Sequence, residues 1–80
     1  MNTDISYFVV NFASQFDDTP VDLFSPETKF RDLEEWSSLM ALVIIAMVDD
    51  KYKVKLSGNE IKESHTIKDI FDKVIVKVNG

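Results

Sequence analysis

Residues 34–48 read E-E-W-S-S-L-M-A-L-V-I-I-A-M-V, a serine pair followed by the longest apolar run of the chain. A serine that precedes a helix can accept a hydrogen bond from one of the unpaired N–H groups of the first turn. The pair therefore predicts a helix start, and the apolar residues predict a helix from about Ser38 to Tyr52. The apolar run covers ten residues, whereas a membrane-spanning helix needs roughly 20. We expect a helix packed inside a protein, without membrane insertion.

Apolar residues occur almost all round this helix, so two stripes compete for the core. The first stripe consists of Ala41, Ile44, Ile45, Val48 and Tyr52, and the second of Leu39, Val43, Ala46 and Asp50, flanked by Leu42 and Met47. We assign the first stripe to the core because it ends in Tyr52, whereas the second ends in Asp50. The second face is then partly exposed and a candidate binding surface. The pattern is equally compatible with a central helix buried on most sides.

The segment before the serine pair begins with another helical pattern. Its apolar residues Ile5, Phe8, Val9, Phe12 and Phe16 recur at helical spacing. This pattern predicts a first helix from about Asp4 to Phe16, capped by Thr3 or Asn2. The helix should end before Pro20, because a proline biases its predecessor away from helical dihedral angles.

The connection that follows, up to Trp36, is the least regular part of the chain. Ser25 and Pro26 are typical of the cap and first position of a short helical turn, which would carry Phe30 and Leu33 inward. We expect Trp36 to pack between this connection and the second helix rather than to serve as a stacking platform.

After the second helix, residues 53–56 alternate in polarity but have no partner strand, so we predict a loop with Val54 and Leu56 turned inward. Residues 57–59 have the chemistry of a turn. A short third helix is then expected over residues 60–63, around Ile61.

A fourth helix is predicted to open at Thr66, with Asp69 completing a variant capping box. Its core residues would be Ile67, Ile70, Phe71, Val74 and Val78. The expected fold is all-α, a small four-helix bundle with a long loop between the first two helices.

Length and composition narrow the classes of protein. Eighty residues predict a single domain spanning residues 1–80, and the absence of cysteine excludes disulfides and a cysteine nucleophile. The net charge of −5 disfavours nucleic acid as a partner, since the phosphates would be repelled. The first residues lack the basic region and apolar run of a signal peptide, so we expect a cytoplasmic protein, a monomer, and a free-standing chain from Met1 to Gly80.

The serine pair, the aromatic loop and the T-I-K-D-I opening of the last helix together resemble the acyl carrier protein family. In that family a serine followed by leucine, at the start of the second helix, bears 4′-phosphopantetheine derived from coenzyme A. The resemblance implies attachment at Ser38, which precedes Leu39. Ser37 is the second choice and the expected N-cap of the helix. It also implies a non-enzymatic carrier of acyl thioesters in fatty-acid or related acyl and polyketide biosynthesis. The implied partners are a phosphopantetheinyl transferase and acyl-loading and ketosynthase-type enzymes.

The sequence departs from the family pattern at two places. Ser37 stands where the family usually has aspartate, and the exposed face of the second helix is apolar where the family is usually acidic. We therefore expect partner recognition to rest on apolar contact as well as on charge. The expected partner-binding residues are Leu39, Met40, Leu42, Val43, Met47, Asp49, Asp50, Glu60 and Ile61. For the two aspartates, local offset by Lys51, Lys53 and Lys55 is the alternative.

Other functions remain open at this stage. An aminoacyl or peptidyl carrier is one, although the glycine-rich sequence that such carriers tend to show before their serine is absent. An unmodified helical adaptor that binds a partner through the apolar face of the second helix is another. A hydrolase using Ser38 with His65 lacks an oxyanion-hole glycine motif, so we expect no catalytic residue, and His65 should be structural or exposed. Surface acids such as Glu34 and Glu35 are not part of a loop with the many closely spaced oxygen ligands of a calcium site. We therefore expect no metal.

Overall fold

Four helices make up the frame of the protein in a computed structural model that describes residues 3–80. The helices are α1 (Ile5–Ala13), α2 (Ser38–Tyr52), α3 (Gly58–Lys62) and α4 (Ile67–Asn79). Two short 3₁₀ turns, Val21–Leu23 and Phe30–Asp32, lie in the long connection between α1 and α2. Extended pairing in the described chain is confined to one isolated bridge between Lys29 and Thr66. The prediction of an all-α four-helix fold is confirmed.

Side-chain caps determine where all four helices begin. The Ser37 hydroxyl accepts the Met40 N–H at the start of α2, and Thr66 and Asp69 form the predicted capping box of α4. The start of α3 differs from the prediction, because the helix begins at Gly58 and not at Glu60. Ser57 and Glu60 form a second capping box there, which satisfies two N–H groups and draws the predicted turn into the helix.

The first helix is shorter than predicted. Asp4 is its cap and accepts the Ser6 N–H, so Thr3 is not the cap, and Asn2 lies outside the described residues. The helix ends at Ala13 instead of Phe16. After the Ser14 cap, the next two amides bond carbonyls three residues back, Gln15 to Phe12 at 3.2 Å and Phe16 to Ala13 at 3.0 Å. Such tightening is common at the end of a helix. Phe16 still reaches the core.

An aromatic cluster fills the space between α1, α4 and the long connection. Its members are Phe8, Phe12, Phe16, Phe24, Phe30, Trp36, Tyr52 and Phe71, joined by ring contacts of 4.7 to 6.4 Å between centroids. Phe12 lies at its centre and contacts five other rings. The predicted inward position of Phe30 is confirmed. Trp36 packs edge-on against Phe30 at 4.7 Å, and its other ring contacts are with Phe12 and Phe16. The cluster therefore pins the connection to the helices.

The orientation of α2 follows the predicted stripe. Ile44, Val48 and Tyr52 are fully buried, whereas Leu39 and Leu42 are 68% and 62% exposed. The alternative of a helix buried on most sides is therefore wrong. The expectation that Met47 lies on the partly exposed side is wrong, because its side chain is 5% exposed and belongs to the core. It lies three residues after Ile44, at the edge of the core stripe, where a flexible thioether can fill a gap.

One polar atom in the core has no hydrogen-bond partner among the described residues. It is the Tyr52 hydroxyl, whose side chain is 1% exposed and which lies edge-on to Tyr7 at 6.4 Å. Burial raises the pKa of Tyr52 to about 12. A buried hydroxyl without a partner costs about 1–3 kcal/mol of stability, so this end of α2 carries a local penalty.

The predicted loop after α2 is confirmed, with Leu56 buried and Val54 half-buried. The helix ends at Tyr52 and is followed by its C-cap Lys53, which adopts the left-handed conformation with φ 59°. The longest helix, α2, has 15 residues, and none of the helices within residues 3–80 combines the length and hydropathy needed to cross a membrane.

Candidate functional site

The two serines at the start of α2 have different roles. Ser37 is the cap, and its side-chain oxygen accepts the Met40 N–H at 3.2 Å. Ser38 is the first residue of the helix, and its side chain is exposed. Because the Ser37 oxygen is engaged with the backbone, the Ser38 hydroxyl is the one available for chemistry without loss of a cap.

The start of α2 also favours a negative charge. The first turn contains no acidic residue, and the N–H groups of a first helical turn have no partner within the helix. A 15-residue helix adds a positive dipole end there, worth typically 0.3–1 kcal/mol for a surface anion. A phosphate ester on Ser38 would therefore be stabilised by its position.

A cleft of about 380 Å³ lies beside Ser38. Its walls come from the long connection, from α2 and from α3, and consist of Arg31, Trp36, Ser37, Ser38, Ala41, Gly58, Ile61 and Lys62. The charged members of this lining are both basic, Arg31 and Lys62, in a chain whose net charge is −5. We call this space the Ser38 cleft. Its combination of basic and apolar walls suits a ligand with an anionic end and an uncharged body.

Arg31 fixes the position of α3 as a wall of this cleft. Its guanidinium donates to the backbone oxygens of Ser64 at 2.6 Å, Ile61 at 2.7 Å and Lys62 at 2.8 Å. It also lies over the Phe30 ring, 5.0 Å from the centroid. These carbonyls lie at or just after the end of α3, where no later turn of the helix supplies N–H groups to them. A cation at this position is also favoured by the helix dipole. Sequence analysis missed this role, since a lone arginine in a loop gives no signal of it.

A buried polar contact supports the other side of α3. Ser64 is fully buried, its hydroxyl donates to the Glu60 carbonyl at 2.8 Å, and Lys73 from α4 reaches the same hydroxyl at 2.6 Å. Sequence analysis missed both residues. The five residues of α3 are thus held by polar contacts from the connection and from α4.

The predicted apolar partner face is present in part. Leu39 and Leu42 are exposed, Val43 is half-buried, and Met40 is half-buried and packs against the core. Met47 and Ile61 are also among the expected partner-binding residues, but their side chains are 5% and 3% exposed and face the core. Ile61 is the hydrophobic anchor of a short helix that has no other apolar residue, which explains its burial.

The predicted acidic contacts are largely engaged within the chain. Asp49 pairs with Lys55 at 2.9 Å and Asp50 approaches Lys51 at 3.9 Å, while their side chains stay 48% and 73% exposed. Partner contact and local offset by lysines both stay predictions for this pair. Glu60 accepts the Ser57 N–H, which lowers the pKa of its carboxyl group, and it also pairs with Lys77 at 3.1 Å. Its carboxylate therefore serves the α3 cap.

His65 lies exposed between α3 and α4, and it is not part of the Ser38 cleft lining. Its backbone N–H donates to Asp69 at 2.9 Å. No group of three or more potential metal-ligating side chains occurs within residues 3–80. The arrangement around Ser38 thus offers a hydroxyl, a helix start and a cleft.

Comparison with known proteins gives one match. A family model described as "phosphopantetheine attachment site" matches residues 8–74, a span that includes all of α2 and α3 and most of α1 and α4. No curated protein and no solved structure matches the chain. Domains of the matched family are non-catalytic carriers with covalently attached 4′-phosphopantetheine. Such a carrier interacts with a phosphopantetheinyl transferase and with biosynthetic enzymes.

Proposed function

The chain belongs to the phosphopantetheine attachment family, and we propose that Ser38 is its attachment residue and acyl groups are its cargo. The observation that supports this proposal is that the two serines have different structural roles. Ser37 uses its oxygen to cap α2, whereas Ser38 presents an exposed hydroxyl at the first helical position.

The chain's own groups fit an attached phosphodiester. The Ser38 oxygen would become one of its ester oxygens, and the start of α2 would stabilise its negative charge. When bound, the arm supplies a terminal thiol for thioester formation, chemistry that belongs to the cofactor rather than to the protein. The chain contains no cysteine, so no side-chain thiol competes with the arm for acyl groups.

The choice of acyl over aminoacyl cargo rests on the segment before Ser38. That segment, residues 31–37, reads R-D-L-E-E-W-S and lacks the glycine-rich sequence that tends to precede the serine of peptidyl carriers. We place the protein in fatty-acid or related acyl and polyketide biosynthesis, as a cytoplasmic monomer. Its partners would be acyl-loading and ketosynthase-type enzymes.

The exposed side of α2 is the surface that these enzymes would contact. Leu39 and Leu42 protrude next to Ser38 and would be covered on docking, with Met40 and Val43 at the edge. Apolar side chains of this kind contribute mainly to slow dissociation, whereas exposed charges contribute mainly to the rate of association. Leu42→Asp should therefore speed dissociation from a partner enzyme with little dependence on salt.

Incubation with a phosphopantetheinyl transferase and coenzyme A tests the attachment. We expect one arm per chain by intact mass, no addition to Ser38→Ala, and addition to Ser37→Ala. Modification of Ser38→Ala at Ser37 would refute the site. Failure of competent transferases to modify the wild-type chain would refute the carrier function, and would favour the adaptor that docks through Leu39 and Leu42.

The cargo needs a separate measurement. Intact mass and peptide mapping of protein purified from its native source identify the group on the arm. An acyl thioester is expected, and an aminoacyl group would instead place the protein among peptidyl carriers.

A further inference from the structure

We propose that residues 17–23, D-D-T-P-V-D-L, form a docking loop for the phosphopantetheinyl transferase, which contacts them with basic side chains around a shallow apolar pocket. We call this segment the acidic loop. The inference rests on the proposed attachment at Ser38. It adds a second recognition surface, which lies outside the exposed side of α2.

The net charge of the chain resides in its first 28 residues. Residues 1–28 contain five acids and neither lysine nor arginine, whereas residues 29–80 contain nine acids and nine basic residues. Three of the five acids, Asp17, Asp18 and Asp22, lie in the acidic loop and are exposed. None of the three has an ion pair within residues 3–80. Their negative charge is therefore available to attract a basic partner.

Two apolar side chains protrude among these acids. Val21 and Leu23, on either side of Asp22, are 61% and 58% exposed, whereas the next residue, Phe24, is buried. Aliphatic side chains between carboxylates are complementary to an apolar pocket with a basic rim. Two acidic loops would repel each other, and so would the loop and an anionic lipid surface. The charge therefore favours a basic protein as the occupant.

The acidic loop is held at both ends before any partner docks. Phe16 and Phe24 flank it, both are buried, and their ring centroids lie 5.1 Å apart. The Glu35 carboxylate accepts the Asp18 N–H at 3.0 Å and also accepts the Thr19 hydroxyl. A loop that is closed at its base and held from a second segment loses little conformational freedom on docking.

The same contacts place the acidic loop near the attachment residue. Phe16, at the base of the loop, packs against Trp36 at 6.4 Å between centroids. Trp36 and Glu35 precede Ser38 by two and three positions. The transferase must bring its active site to the Ser38 oxygen itself, whereas enzymes that use the loaded arm act on the thiol at its far end. The transferase is therefore the partner whose surface comes nearest to the loop.

Steady-state arm transfer from coenzyme A, followed by intact mass at several carrier concentrations, tests this role. Leu23→Ser removes an apolar side chain of the loop, and its control is Val76→Ser on α4, where Val76 is 71% exposed. Asp22→Asn removes a loop charge, and its control is Asp72→Asn, also exposed on α4. Circular dichroism and thermal melts verify that all four variants fold.

We expect the KM for the carrier to rise about tenfold in Leu23→Ser, with kcat unchanged, because only docking is weakened. In Asp22→Asn the KM should rise about two- to fivefold, as expected for one exposed ion pair. The two α4 controls should behave as the wild type. Added salt should raise the wild-type KM more than that of Asp22→Asn, because screening acts on a contact that the variant has lost.

The contrary results are distinct from one another. If the KM values of Leu23→Ser and Asp22→Asn equal those of their controls, docking on the loop is refuted while the carrier function stands. If no arm is added to the wild type, the carrier function itself fails. With KM unchanged, a dimer that Leu23→Ser dissociates in sedimentation equilibrium would assign the loop to a second copy. Binding to phosphatidylcholine vesicles that Leu23→Ser abolishes would assign it to a lipid surface, and either outcome overturns the proposal.

Discussion

Helix α2 has different neighbours on its two sides. Towards α1 and α4 it meets the aromatic cluster, where Tyr52 packs on Phe8 at 5.7 Å and Phe8 on Phe71 at 5.4 Å. Towards α3 it meets a five-residue helix positioned by Arg31, by a capping box and by a buried serine. Dispersion and the burial of apolar surface stabilise the packing on the first side, while oriented hydrogen bonds stabilise the packing on the second. The two sides are therefore stabilised by different kinds of contact, and the candidate site lies on the α3 side, where Trp36 belongs both to the aromatic cluster and to the cleft.

The largest expected effect is in the aromatic cluster. Phe12→Ala should lower the free energy of unfolding by about 3–5 kcal/mol, because a fully buried ring with five ring neighbours would leave a cavity. Val10→Ala is the control on the same helix, 60% exposed, and should change stability by less than about 0.5 kcal/mol. Urea unfolding followed by circular dichroism measures both. Similar losses in the two variants would show that the cluster is not the main source of stability.

Arg31→Gln tests the polar side and should have the next largest effect. Three charge-assisted hydrogen bonds are lost, and of the three carbonyls only that of Ile61 keeps a second donor, the Ser64 N–H at 3.0 Å. We expect a loss of about 1–3 kcal/mol in the free energy of unfolding. Amide hydrogen exchange should speed up in α3 more than in α1. Arg31→Lys should rescue little, because an ammonium cannot reproduce the planar fork of a guanidinium. Equal acceleration in α1 and α3 would contradict the idea of two separately held sides.

A smaller effect is expected at the serine pair. Ser37→Ala should cost about 1 kcal/mol through loss of the α2 cap, whereas Ser38→Ala should be nearly neutral. Thermal melts of the unmodified proteins measure the difference. The reverse order would exchange the roles of the two serines and make Ser37 the better candidate for modification.

The smallest effect concerns pH and the α4 cap. Backbone N–H groups of His65 and Thr66 lower the pKa of Asp69 in the folded state. Because the folded pKa lies below the unfolded one, Asp69 stabilises the fold above the unfolded value of about 3.9, and this contribution is lost as the pH falls through the folded pKa. Asp69→Asn should therefore reduce the difference in urea midpoint between pH 7 and pH 3. An unchanged difference would mean that other carboxylates dominate acid destabilisation.

Periodicity and capping chemistry predicted much of the fold. The repeats that place Phe8 and Phe12 or Ile70 and Val74 inward are local properties of the chain, and so is the capping box at Thr66. The same capping chemistry occurs at Ser57, but the sequence predicts a turn there, because the following helix is too short to show an apolar repeat. Sequence periodicity could not place Met47, which lies at the boundary between the two stripes of α2.

Of the candidate site, the sequence supports a proposal only for Ser38. Ser38 could be proposed from its neighbours in sequence, but the cleft beside it joins Trp36, Ala41 and Lys62 from three separate segments. Arg31 and the carbonyls it binds lie 30 or more positions apart. Contacts of this kind depend on how the helices pack, and no local sequence pattern predicts them.

The Tyr52 hydroxyl, which has no hydrogen-bond partner among residues 3–80, gives the protein an intrinsic optical marker of alkaline unfolding. An ordinary tyrosine ionises near pH 10, roughly two units below the value of about 12 for Tyr52 in the fold. Between these values the unfolded chain releases a proton that the folded chain retains, so alkali favours unfolding and ionisation together. Phenolate absorbance and circular dichroism should then change in step for the Tyr7→Phe variant, in which Tyr52 is the only remaining phenol.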